Sequence, residues 1–182
     1  RVALARALAP KPKLMLLDEP FSDLDSRLRE KIREETISIL KSNSTPVLLV
    51  THDPNEAMLV SDKIIIINNK KKIQEGSPEE IYFKPKNKFV AGFFSDINTF
   101  SGIAVDSKVN FLLGAINTNI NYREKEVEVI IRTEGIKINH KKIDNKLNIE
   151  GKISSVKQVG IFQYVNIIVQ DHPKIISARL ID

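Results

Sequence analysis

Two textures of hydrophobic patterning divide the chain. In the first, short aliphatic runs alternate with helical periodicity. Val2–Leu8 carries Val, Ala and Leu around Arg6 and reads as the end of a helix, stopped by the two prolines of Ala9–Lys13. Leu14–Leu17 is a continuous apolar run, the pattern of a strand covered on both faces of a parallel sheet. Ser26–Lys41 places Leu28, Ile32, Glu35 or Thr36, and Ile39 at helical spacing with charges between them, which predicts an amphipathic helix. Pro46–Val50 predicts a second buried strand. Pro54–Val60 predicts a short helix with Asp53 as N-cap and Pro54 at its first position. Strand and helix in alternation predict an α/β, doubly wound parallel sheet. Ile64–Ile67, an Asn68-Asn69 turn and Lys71–Gln74 predict a β-hairpin. Ser77-Pro78-Glu79-Glu80 is a helix start, with a cap, a proline and acids at the positive end of the helix dipole. Asn87–Phe94 predicts one more short helix.

After Ser95 helical periodicity disappears. Phe100–Val105, Val109–Leu113, Glu126–Arg132, Leu147–Gln158, Gln163–Val169 and Lys174–Leu180 are β-rich runs separated by turns carrying Gly, Asn or Asp. They predict a small all-β barrel or sandwich. The expected division is 1–95 for the α/β part and 96–182 for the β part.

Composition narrows the chemistry. The 182 residues are 42% hydrophobic and 28% charged, as in an ordinary globular chain. The absence of cysteine excludes disulfides, thiolate metal sites and a cysteine nucleophile, and suits a reducing compartment. No apolar run approaches the roughly 20 residues of a membrane span. The net charge is +5, but lysines are spread along the chain and gather on no obvious face, so nucleic acid is not an expected partner. Arg1 lies inside an apolar, helix-like pattern with no cap before it, and the sequence therefore reads as a fragment.

The candidate chemistry lies where an aliphatic strand ends in two acids, Asp18 and Glu19. Ligands of open α/β sheets bind beyond the carboxyl ends of strands. Asp18 at the strand end can hold Mg²⁺, which favours carboxylate and phosphate oxygens. Adjacent side chains diverge, so Glu19 is free to face a γ-phosphate and polarise the attacking water. Phosphoryl transfer needs that division between a metal site and a group that positions the nucleophile. The second strand ends in Thr51-His52-Asp53, which brings His52 to the same sheet edge. The plainer alternative is that the acids start a loop and the histidine is structural; the context of the following residues weighs against it.

That context resembles the ATP-hydrolysing subunits of ABC transporters. Arg1-Val2-Ala3-Leu4-Ala5-Arg6-Ala7-Leu8 is similar to the helix after their LSGGQ signature. Leu14–Glu19 resembles their Walker B strand, Ser22-Asp23-Leu24-Asp25 their D-loop, and His52 their switch histidine. The D-loop departs from the family at Asp23, where Ala is frequent. The resemblance implies the C-terminal part of a P-loop NTPase with a RecA-like parallel sheet. It implies two subunits sandwiching ATP and Mg²⁺, with Glu19 and His52 catalytic, Asp18 on Mg²⁺, and Ser22 and Asp25 at the nucleotide site. Arg1 and Arg6 would orient the signature helix. No G-x-x-x-x-G-K-[ST] and no LSGGQ occur in the sequence, so the chain alone is expected to be inactive.

Gly76–Tyr82 and Asn87–Phe93 resemble the tail of importer ATPases of the spermidine/putrescine, iron(III) and sugar type, which continue into an OB-like transport-associated regulatory domain. Val129–Ile136 is similar to a strand of that domain, with Thr133 where proline is usual, and Gly151–Gly160 with Tyr164–Val169 resemble its closing strands. The sparse aromatics Phe100, Phe111, Tyr122, Phe162 and Tyr164 read as core. The wording of Phe93–Asn98 leans towards an iron(III) importer, with a polyamine, a sugar or another ion open as the solute. The implied partners are a second ATPase subunit, transmembrane permease subunits and an external substrate-binding protein, and the implied place is peripheral, at the cytoplasmic face of the plasma membrane. Two alternatives belong to other classes. A soluble ABC-type ATPase of DNA repair would carry long coiled coils where this chain has a hairpin and a β module. A ligand-sensing binding module without ATPase activity would place the function in residues 96–182.

Overall fold

The computed structural model describes residues 2–22, 24–139, 149–170 and 172–181. These form two compact units, residues 1–84 and 85–182. Arg1, Asp23 and the start of the predicted run Leu147–Gln158 lie outside the described residues.

In the first unit α1 (Val2–Leu8) is followed by β1 (Met15–Asp18), α2 (Ser26–Ser42), β2 (Val47–Val50) and α3 (Pro54–Val60). β1 and β2 pair in parallel, with Met15 opposite Val47 and Asp18 opposite Val50. Parallel neighbours need a crossover, and α2 provides it. One expectation is corrected here. The strands were read as covered on both faces, yet only Met15 is buried, while Leu16, Leu48 and Val50 are each more than half exposed. Among the described residues β1 and β2 pair only with each other, so two strands and one crossover helix bury one face and leave the other bare. The buried stripe of α2 also differs. Thr36 and Leu40 are buried, whereas Leu28 and Ile39 are 45% and 43% exposed. Thr36 and Leu40 are four residues apart and share a face; Leu28 and Ile39 fall on its flanks.

β3 (Ile64–Asn68) and β4 (Lys71–Gly76) form the expected hairpin, with Ile64 and Ile66 buried and Ile65 and Ile67 exposed, the period-two pattern of a half-buried strand. Its turn is Asn69-Lys70, one residue later than predicted. Both residues have positive φ, 48° and 61°, as a two-residue type I′ connection requires. α4 (Pro78–Phe83) starts with a complete capping box. Ser77 Oγ accepts from the Glu80 N–H at 3.2 Å, and Glu80 Oε2 accepts from the Ser77 N–H at 3.0 Å.

The second unit opens with α5 (Lys88–Phe94), capped by Asn87, and not with a strand. The units divide at Lys84/Pro85 where the sequence suggested 95/96. Contacts of α5 and its exit account for the difference. Lys88 Nζ lies 2.6 Å from Glu128 Oε1, and Ser95 Oγ donates to the Glu134 carboxylate at 2.8 Å. Both partners come from the β part.

β5 (Ile97–Phe111) and β6 (Gly114–Arg132) form one long antiparallel pair. A three-stranded antiparallel sheet follows, β7 (Lys152–Val159), β8 (Phe162–Ile168) and β9 (Ile176–Ile181). Phe100 and Ala104 lead the core with Val109, Val129, Val169 and Ile176; Phe111 and Tyr122 pack against it. Tyr164 was read as core and is 37% exposed. Asn98 joins the two sheets. Its Oδ1 accepts from the Ser177 N–H at 2.8 Å and its Nδ2 donates to the Ser177 carbonyl at 2.8 Å. Gly102 permits a close approach within the long pair, since a Cβ there would lie 2.9 Å from the Asn110 carbonyl oxygen.

Candidate nucleotide-hydrolysis site

The site is a consequence of strand register. Because Asp18 stands opposite Val50, the chain leaves both strands at the same edge, and the Glu19 N–H continues the ladder by donating to the Val50 carbonyl at 2.8 Å. Glu19 follows directly on one side and His52 two residues beyond Val50 on the other. His52 Nδ1 lies 3.0 Å from Glu19 Oε1. The His52 side chain is 75% exposed and that of Glu19 46% exposed. An ion pair or hydrogen bond that open to water adds little stability. Its consequence is geometric: it fixes where the carboxylate and the imidazole point.

Glu19 has φ of 43°, a left-handed conformation that a side chain with a Cβ adopts at a cost. Hydrogen bonds on both sides hold it there. Its N–H is tied to Val50, and its carbonyl accepts from the Ser22 N–H at 3.2 Å and from Ser22 Oγ at 3.0 Å. The positive φ turns the backbone at Glu19 off the extended path of β1.

Asp18 is exposed at the end of β1. Among the described residues no group of three or more His, Asp or Glu side chains forms a metal cage. Mg²⁺ is commonly held by one or two carboxylates together with substrate phosphates, and a single exposed carboxylate at a strand end fits that donor set. Asp25 accepts from the Leu28 N–H through Oδ1 at 3.1 Å and so caps α2. Asp53 caps α3, accepting from the Asn55 and Glu56 N–H groups at 2.9 and 3.3 Å. Its own N–H donates to Thr51 Oγ1 at 3.0 Å, which turns the chain directly after His52.

The structure therefore brings Glu19 and His52 into contact, with Asp18 the residue before Glu19 and Ser22 bonded to its carbonyl. Asp25 stands at the start of α2, engaged in its cap. Arg29 was not singled out from the sequence: it reaches back from α2 to the carbonyls of Leu24 and Ser22, at 2.7 and 3.2 Å. A cation four residues after a cap aspartate is the signal that could have marked it. Separately, the β unit contains an open cleft of about 690 Å³ lined by Asp96, Thr133, Lys157, Tyr164, Asn166 and Ser177 among others.

A parallel strand pair that presents acids and a histidine at its carboxyl edge has the ligand-binding edge of an open α/β sheet, here followed by a small all-β unit. Comparison with known proteins agrees. Residues 1–58 match the family profile described as "AAA domain, putative AbiEii toxin, Type IV TA system". The chain is 40% identical over 175 residues to a spermidine/putrescine import ATP-binding protein, PotA, of Clostridium acetobutylicum, covering 94% of this chain and 49% of that protein. It is 38% identical over 172 residues to the protein of the same name from Aster yellows witches'-broom phytoplasma, covering 91% of this chain and 39% of that one. With that of Borreliella afzelii it shares 39% identity over 170 residues, 91% of this chain and 47% of that one. A solved chain titled "An inward-facing conformation of a putative metal-chelate type ABC transporter" aligns with 71% of this chain and 43% of its own at a TM-score of 0.43 and 22% identity. Over about nine-tenths of its length the chain is thus similar to proteins named as import ATP-binding proteins. It spans about half the length, or less, of the curated relatives it matches. No described helix is long and apolar enough to cross a membrane.

Proposed function

We propose that this chain supplies the Walker B, D-loop and switch-histidine part of the ATP-hydrolysing subunit of an ABC importer, and that the imported solute is a polyamine. The observation that carries the reading is the 3.0 Å approach of His52 to Glu19 at the carboxyl edge of two parallel strands. The polyamine rests on the names of the relatives above. Those relatives give no support to the iron(III) importer suggested by the wording of residues 93–98.

In this reading Mg²⁺ neutralises the phosphate oxygens on which charge develops during transfer. Asp18 offers it one carboxylate. Glu19 orients the attacking water and accepts its proton, and the strained backbone at Glu19 with its flanking hydrogen bonds presets the carboxylate before substrate arrives. The contact with Glu19 holds the His52 ring before substrate arrives, and His52 donates a hydrogen bond towards the γ-phosphate once ATP is bound. Ser22 and Asp25 set the loop that faces a second subunit. A second ATPase subunit, permease subunits and an external binding protein complete the importer, which places this subunit at the cytoplasmic face of the membrane without crossing it.

The test is Mg²⁺-dependent ATP hydrolysis by the full-length protein and its Glu19→Gln variant. Loss of the group that positions the water should lower kcat by about 10²- to 10⁴-fold with ATP still bound. The 182-residue chain by itself, which contains no phosphate loop, should turn over nothing. Hydrolysis indifferent to Glu19, or turnover by the isolated chain, would overturn the assignment of roles. Uptake of radiolabelled spermidine, in competition with ferric iron, separates the two solutes.

A further inference from the structure

We propose that Arg29 is a positioning residue for the hydrolytic site, acting through the loop that joins Glu19 to α2; the proposal rests on the ATPase reading above. A helical side chain points back towards the helix N-terminus. Arg29 stands in the first turn of α2, so its guanidinium is directed at the residues that precede the helix. A single nitrogen, Nη2, donates to two carbonyls of this loop, Leu24 at 2.7 Å and Ser22 at 3.2 Å. Its Nε is buried and has no hydrogen-bond partner among the described residues. A guanidinium that leaves one N–H unpaired out of water is held in place by what its other nitrogens grasp, and charge-assisted bonds to carbonyls are the strong kind.

The loop is thereby fixed at both ends. At its start, Ser22 binds the Glu19 carbonyl through both its N–H and its hydroxyl. At its end, Asp25 caps α2 and the Arg29 N–H donates to the Asp25 carbonyl at 2.8 Å. In the middle, Phe21 is anchored by burial. Arg29 is the element that ties the middle to the helix. Since Ser22 is bonded on one side to Glu19 and on the other to Arg29, the guanidinium lies two hydrogen bonds from the residue that presents the carboxylate. Release of Ser22 by Arg29 removes part of what holds the left-handed turn at Glu19. A planar guanidinium can address two carbonyls from one nitrogen at fixed angles, whereas a lysine ammonium on a flexible stem offers no preset fork.

The experiment uses the full-length protein with Arg29→Gln and Arg29→Lys, read in two ways. Amide hydrogen exchange followed by mass spectrometry should quicken about tenfold in Arg29→Gln for the peptide spanning the loop, with the distal half of α2 and β1 unchanged, as expected for local opening. Steady-state hydrolysis should show kcat lowered about tenfold with KM for MgATP within about twofold, because the loss falls on the reacting geometry and not on nucleotide binding. Arg29→Lys should recover part of both. Unchanged loop exchange, or unchanged kcat in a parent whose activity depends on Glu19, would overturn the proposal. So would exchange quickening along the whole of α2 with a matching loss of thermal stability, since Arg29 would then be holding the helix itself. If the parent hydrolyses no ATP in a Glu19-dependent way, the ATPase reading falls and the catalytic half of this proposal with it; the exchange measurement still decides whether Arg29 holds the loop.

Discussion

Replacing Asn98 with alanine tests whether one side chain couples the two sheets of the β unit. Asn98 is only 7% exposed and behaves as a piece of backbone: its amide oxygen takes the Ser177 N–H and its amide nitrogen gives to the Ser177 carbonyl, both at 2.8 Å, with a longer contact of 3.5 Å to the Ile131 carbonyl. Alanine removes the partners of both backbone groups of Ser177 at once. Each buried backbone group left unsatisfied costs about 1–3 kcal/mol, and with Ser177 only partly buried the pair should cost about 2–4 kcal/mol. That is a loss of about 30- to 1000-fold in the folding equilibrium. With a urea m-value of about 2 kcal/mol/M the unfolding midpoint should fall by about 1–2 M. The chain has no tryptophan, so unfolding is followed by tyrosine fluorescence and, more locally, by exchange of the Ser177 amide. Asn98→Asp keeps the acceptor but points a second oxygen at the Ser177 carbonyl, and should be at least as damaging. A midpoint within about 0.2 M of the parent together with unchanged exchange at Ser177 would refute the reasoning; a shift of about 0.2 M is worth about 0.4 kcal/mol, well under one unsatisfied group.

Two further predictions concern the first unit. Ser77→Ala opens the capping box of α4 and should destabilise the protein by about 1 kcal/mol, read as faster amide exchange at Glu80, with Ser77→Asp restoring most of it. Glu75 titrates below its ordinary value of 4.5 because of the hydrogen bond from Lys72 first and that from Lys63 second. A carboxyl with a lowered folded pKa contributes its stability in full above the ordinary carboxylate range and loses it as pH falls through the lower folded value. Lys72→Ala should therefore move the Glu75 carboxyl resonance upward towards its ordinary titration midpoint, and about 1 M salt should do part of the same. An unmoved midpoint in Lys72→Ala would assign the shift to Lys63 alone.

The first unit was legible because each element carries its own local signal. Asp53 with Pro54, and Ser77 with Pro78, Glu79 and Glu80, announce helix starts by capping chemistry that acts within four residues, and the structure places those caps as read. Strand burial was not legible. An apolar run records what a strand is suited to contact, and Leu16, Leu48 and Val50 stay open here because, among the described residues, β1 and β2 pair only with each other. In the β unit the fault lay with turn chemistry. Phe100–Val105 and Val109–Leu113 read as two strands, yet β5 runs through Asp106, whose φ of 51° and the register shifts beside it mark a bulge and not a turn. The true reversal, at Leu112-Leu113, carries two leucines and only then Gly114, whose φ is 135°. Most of β6 therefore passed as loop, because its polar residues between 115 and 126 are what an exposed two-stranded ribbon permits. At the site, Asp18, Glu19 and His52 could be placed on one edge from strand ends alone. The left-handed turn at Glu19 could not, since φ is imposed there by partners in β2 and the following loop.

The parallel register of β1 and β2 acts as a ruler. Four paired positions, Met15 with Val47 through Asp18 with Val50, determine how far Glu19 lies from His52. The length of α2 and the shape of the turn after it do not enter that distance. Residues added or removed in the distal half of α2 or in the turn after it would leave the carboxylate and imidazole where they are, while a slip of the strands by a single position would part them by more than 3 Å and reverse every side chain of one strand. The spacing across the reacting edge is thus insulated from drift in the far part of the connection, while the stretch from Glu19 to Arg29 stays tied to the chemistry, so that lineages can rebuild the distal surface of this helix without moving the carboxylate from the imidazole.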